Sequence, residues 1–198
     1  MSWLLDRIKW AESVLSYCTS SFYIVALFPA AESAILAYAM LGRSEKMEEL
    51  ISHMSNQLEK LRSPLQQAWA LYSADALAML GKYREAEELG WRATEGDNEK
   101  LHLDFCVGPF ARSIARSALH RGSASAARRR LADLMLDLDS YDAIDKAEIL
   151  NAASYLSSRT GDTLNGAERG MWNCLNDLPD AIREQLERMG MLKSFSFS

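Results

Sequence analysis

Apolar and small residues recur along this chain at three- and four-residue intervals, and glycines interrupt them at nearly even distances. Before Gly81, the run PLQQAWALYSADALAML places Trp69, Tyr72, Ala76 and Leu80 at i, i+3, i+7 and i+11, one face of a helix. After it, KYREAEELGWRAT puts Tyr83, Ala86, Leu89 and Ala93 on one face and Arg84, Glu85, Glu87 and Glu88 on others. A glycine between two such runs takes a left-handed backbone, ends the first helix and reverses the chain. Gly42, Gly81, Gly122 and Gly161 are spaced by 39, 41 and 39 residues, so the same helix–turn–helix plan is predicted four times.

These segments predict hairpins over about 28–62, 64–98, 108–139 and 145–178 within a single all-α domain spanning 1–192. Pro64 fits a first helical turn, where its missing N–H would lack a partner anyway. Pro29 and Pro109 each precede a turn glycine by 13 residues, and the strings AAESAILAYAML and FARSIARSALHR between them share a small-residue texture. An extra N-terminal helix is expected over 3–18, with Leu4, Leu5, Ile8, Ala11 and Leu15 as its apolar stripe. A last helix should begin at Pro179, and the tail 193–198 is expected to be mobile. One hairpin cannot cover its own apolar face, so three or more must stack.

Gly81, Tyr83, Glu85, Ala86 and Ala93 of the second hairpin follow the turn and second helix of the tetratricopeptide repeat, and Ala74 stands at its small position. The chain resembles that family, although Ala70 replaces its usual Trp. Ala115 and Ala127 repeat the small positions in the third hairpin, whereas Ile35, Met47 and Met54 replace them in the first. Gly166 fits the fourth hairpin and Asn173 does not. The third hairpin (ARSIARSALHRGSASAARRRLADLM) is similar to the longer repeats of maltose-activator-type, LuxR-class bacterial regulators.

The resemblance implies a right-handed α-solenoid whose first helices line a concave groove. Carried over by position, the groove shows Glu32, Leu36 and Met40, then Leu71, Asp75 and Met79, then Arg112, Arg116 and His120, then Asn151, Tyr155 and Arg159. Arg112, Arg116 and His120 form one ridge at i, i+4 and i+8. Aligned cations repel by a few tenths of a kcal/mol per pair, which a partner carboxylate or phosphate would relieve; solvation, or pairing with Glu148, would do so equally.

Composition narrows the function classes. Apolar residues make up 48% and charged residues 25%, with 10 Gly and 4 Pro, an ordinary globular balance with a helical bias. The net charge of −5 opposes a chain-wide attraction to nucleic acid, and Arg128–Arg130 is followed by Asp133, Asp137, Asp139, Asp142 and Asp145. Residues 22–41 form the most apolar stretch, but Pro29, Glu32 and Ser33 at its middle argue against a membrane span.

Cys18, Cys106 and Cys174 are widely separated and lack zinc spacing, as expected of reduced thiols in a cytoplasmic protein. His102 and Cys106 are an i, i+4 pair without a visible third ligand. No phosphate-binding loop, dinucleotide turn, nucleophile elbow or zinc-helix motif occurs.

No catalytic residue, metal or cofactor is therefore implied. The expected function is binding of a protein or peptide, or of a small ligand, by a non-catalytic regulatory module. A chaperone for a secreted or aggregation-prone partner is the alternative, and uncapped end faces would allow a homodimer.

Overall fold

Three of the four spaced glycines adopt the backbone that chain reversal requires: φ is +67° at Gly42, +80° at Gly81 and +70° at Gly122. At the first, the Arg43 N–H donates to the Tyr38 carbonyl (2.9 Å) and the Gly42 N–H to the Ala39 carbonyl (3.1 Å). At the second, the Lys82 N–H reaches the Leu77 carbonyl (3.0 Å) and the Gly81 N–H the Ala78 carbonyl (3.1 Å). This paired closure satisfies carbonyls that a helix end leaves open.

A computed structural model describes residues 2–17, 24–61, 65–94, 107–122, 124–136, 143–160 and 180. Every element among them is helical: α1 (Ser2–Tyr17), α2 (Ile24–Met40), α3 (Ser44–Leu61), α4 (Leu65–Met79), α5 (Tyr83–Thr94), α6 (Val107–Arg121), α7 (Ala124–Leu136) and α8 (Ala143–Thr160). Gly161, the second helix of the fourth hairpin, the helix expected from Pro179, the tail and all three cysteines lie outside the described residues, Asp180 excepted.

The chain divides into two compact units, Met1–Leu101 and His102–Ser198. In the N-terminal unit α2 packs against α3 and α4, and α3 also packs against α4; α1 covers α2, and α5 lies on α4. In the C-terminal unit α6 packs against α7 and α8, and α7 against α8. Each unit thus contains one triangle in which a second helix touches its own first helix and that of the following hairpin. This is helical-repeat-like packing.

Small residues set the helix approach. Ala74, Ala86, Ala115 and Ala127 are buried, as are Ile35, Met47 and Met54 at the corresponding places of the first hairpin. Phe28 meets Trp69 and Tyr72 edge-on, with ring centroids 6.0 Å apart in each case. That cluster accounts for a boundary the sequence misplaced. α2 begins at Ile24, so Pro29 lies inside the helix, where a proline removes a backbone bond and costs about 3 kcal/mol. Burying Leu27 and Phe28 ahead of it offsets that cost. In α1, Leu4, Ile8 and Ala11 are buried as expected, while Leu5 is 38% exposed.

No helix among the described residues is long and apolar enough to cross a membrane.

Candidate functional site

The first helices of the hairpins carry the residues expected to bind, and the two units treat them differently. In the N-terminal unit, Asp75 is 0% exposed and Leu71 is equally sealed, because α4 is enclosed by α2, α3 and α5. Burial of a carboxylate is costly unless it is engaged, and Asp75 has interactions within the fold. Glu32 and Met79 are half-buried. Met40, two residues before Gly42 as Met79 is before Gly81, is 52% exposed. Of the positions assigned to the groove in this unit, the open one is apolar.

In the C-terminal unit α6 and α8 lie side by side. Arg112 and Glu148 each occupy the sixth position of their helices, and Arg112 Nη1 donates to Glu148 Oε1 at 2.5 Å. The pair is largely withdrawn from water, with side-chain exposures of 20% and 11%. Gly108 makes room for it: a Cβ there would fall 1.1 Å from Glu148 Oε2 and 2.3 Å from its Cδ. A side chain at this place would displace the Glu148 carboxylate, so glycine serves here through close approach and not through its dihedral freedom. The pairing that the sequence offered as an alternative to a partner is the one Arg112 makes.

Further along the same ridge Arg116 is half-buried and His120 exposed. On α8, Asn151 is half-buried, Arg159 is exposed and Tyr155 is 37% exposed. Glu148 and Tyr155 stand at i and i+7, so the bond to Arg112 sets the head of the α6 ridge beside the α8 face that bears Tyr155. The Arg159 guanidinium lies 5.6 Å from the Tyr155 ring centroid, which is cation–π distance. Tyr155 and Arg159, both assigned from the sequence, are thus joined directly.

Two features escaped the sequence reading. Gly108 gives no signal of its own, since only its neighbour across the helix pair explains it. The second is a clasp in the N-terminal unit, where the Tyr38 hydroxyl donates to Glu12 Oε1 at 2.6 Å and Lys46 Nζ to the same oxygen at 3.1 Å. The Tyr38 hydrogen bond, aided by Lys46, holds the Glu12 carboxyl below its ordinary value of 4.5. Burial, reinforced by that bond, pushes the Tyr38 phenol well above its ordinary 10.0. Lys82 likewise bonds Glu48, lowering the glutamate and raising the lysine. These contacts tie α1 to α2 and α3, and the second turn to α3.

Among the described residues no group of three or more His, Cys, Asp or Glu is placed to hold a metal ion. The His102–Cys106 pair lies outside them.

No protein family, curated protein or solved structure matches this chain.

Proposed function

We propose that this chain is a non-catalytic binding module of tetratricopeptide-like hairpins, stacked as a right-handed solenoid, which engages a protein or peptide through its first helices. The observation that carries this reading is the α6/α8 face, where exposed Tyr155, Arg159 and His120 project from a rigid helix pair fixed by Arg112 and Glu148. Helices already ordered by packing, presenting an aromatic and cations, are suited to recognition because little backbone freedom is lost on binding. The likeness of the third hairpin to maltose-activator-type repeats supports a regulatory role. Cytoplasmic residence fits the reduced cysteines expected from the sequence.

The test is selection of peptides of mixed chemistry against the full chain, repeated with Tyr155→Ala and with Met40→Ser. Saturable binding weakened by either substitution supports the module. Failure to select any peptide, or indifference of every selected peptide to both changes, removes it. A chaperone reading is favoured by one observation, the exposure of Met40, since flexible methionines suit varied apolar partners. It predicts that selected peptides share apolar character and depend on Met40 alone.

A further inference from the structure

Helix α1 turns Leu4, Ile8 and Ala11 into the core and shows the opposite side to water. There Asp6, Lys9, Trp10 and Ser13 fall at i, i+3, i+4 and i+7, one helical face, and all four are exposed. Trp10 is 52% exposed, a level that only Met40 equals among the large apolar side chains of the described residues. On the flanks of α1, Arg7 is bonded to Ser33, and Glu12 to Tyr38 and Lys46. Among the described residues, no hydrogen bond, ion pair or ring contact engages the side chains of Asp6, Lys9 or Trp10.

The charge around this face is balanced. Residues 1–31 hold two acids and two bases, whereas residues 32–101 hold twelve acids against eight bases. Two chains of net charge −5 repel one another, and a neutral face lowers that opposition where they touch.

From the unengaged outward face and its balanced charge we infer that α1 is a self-association surface, on which a second copy of this chain docks about a two-fold axis. Every pairing in a two-fold contact occurs twice. Asp6 of each copy therefore meets Lys9 of the other, and the two Trp10 side chains cover one another's apolar surface. Opposite charges within one face favour a second copy over an acidic or basic partner, because symmetry brings the complementary pair automatically. Exposed ion pairs contribute little by themselves, so Trp10 sets the strength and the charges set which faces meet. A helix of 16 residues offers a small contact, which places the dimer at the weak end of specific association, with a dissociation constant of about 10–100 μM. α1 lies outside the hairpins, so this contact is independent of peptide binding by their first helices.

The experiment is sedimentation of the full chain from about 1 μM to about 500 μM, a range that brackets such a constant. Wild type is compared with Trp10→Ala, Asp6→Lys, Lys9→Asp and Lys60→Asp, the last an equal charge change at the exposed far end of α3. Trp10→Ala should weaken the dimer by about tenfold or more, each α1 charge change by a few-fold, and Lys60→Asp hardly at all. An equimolar mixture of Asp6→Lys and Lys9→Asp should associate more tightly than either variant alone, because every pair across the axis is then opposite in sign.

A monomer at every concentration, a dimer that Trp10→Ala leaves intact, or a mixture no tighter than its components overturns the inference. So does a chain that stays monomeric yet captures a different protein through Trp10. Circular dichroism checks the fold of each variant, and the charge mixture decides should Trp10→Ala unfold.

Discussion

Both units bury alanines where their helices meet, among them Ala34, Ala74 and Ala76 in the N-terminal unit and Ala111, Ala115 and Ala153 in the C-terminal one, and both use the same triangle of helices. They differ in what is set between those helices. In the N-terminal unit Phe28 lies between Trp69 and Tyr72, and the ion pairs Lys46–Glu12, Lys82–Glu48 and Arg84–Glu88 stand on the flanks. In the C-terminal unit the ion pair of Arg112 with Glu148 lies inside the packing, against Gly108. The aromatic cluster stabilises through buried area; the withdrawn ion pair adds a fixed orientation of one cation.

The comparison breaks most visibly at Trp69, which is 1% exposed and donates its indole N–H to the Ile51 carbonyl at 3.3 Å. Trp69→Ala should cost about 4 kcal/mol, read as a shifted urea midpoint with faster amide exchange across α2, α3 and α4. A loss under about 1 kcal/mol would show that the aromatic cluster is not what holds the N-terminal unit.

Next in size is the buried pair. Glu148→Ala leaves Arg112 with its carboxylate gone and should cost about 3 kcal/mol, whereas Glu148→Met with Arg112→Met should recover most of that. Gly108→Ala sharpens the test through its size. In wild type the new methyl displaces the Glu148 carboxylate, a loss of about 1–2 kcal/mol. In the Glu148→Ala background the same change should cost clearly less, because the carboxylate is gone and only the Cβ of residue 148, 3.2 Å away, remains near the methyl. An equal loss in both backgrounds would refute the close approach of the carboxylate.

Much of this plan was legible because it depends on local chemistry. Gly42, Gly81 and Gly122 signal their turns, and the alanine periodicity signals which faces meet. The start of α2 was not legible, since a proline rule is local while the Phe28 contacts with Trp69 and Tyr72 join residues far apart in sequence. Asp75 shows the same limit from the other side. A polar residue at a groove position reads as exposed until the third neighbour of α4 is known. Arg112, Arg116 and His120 lie at i, i+4 and i+8 of α6, a spacing the sequence displays, but the place of Glu148 beside the first of them lies against Gly108, a residue whose meaning is wholly tertiary.

The smallest expected effect lies in the clasp on the flank of the N-terminal unit, and pH separates its two groups. Glu12 is depressed in the folded chain, so its contribution is present above the ordinary value of 4.5 and lost as pH falls toward its folded value. Tyr38 is raised, so its contribution is complete below the ordinary 10.0 and declines as pH climbs beyond it toward the folded value. Tyr38→Phe should therefore cost about 1 kcal/mol at neutral pH and flatten both ends of the stability–pH curve. Lys46→Ala should cost less, about 0.5 kcal/mol, because that pair is open to solvent. Urea unfolding of the two variants from acid to alkaline pH distinguishes them. If Lys46→Ala flattens the alkaline limb as strongly as Tyr38→Phe, the bond from the phenol to Glu12 is not the link that fastens α1 to α2.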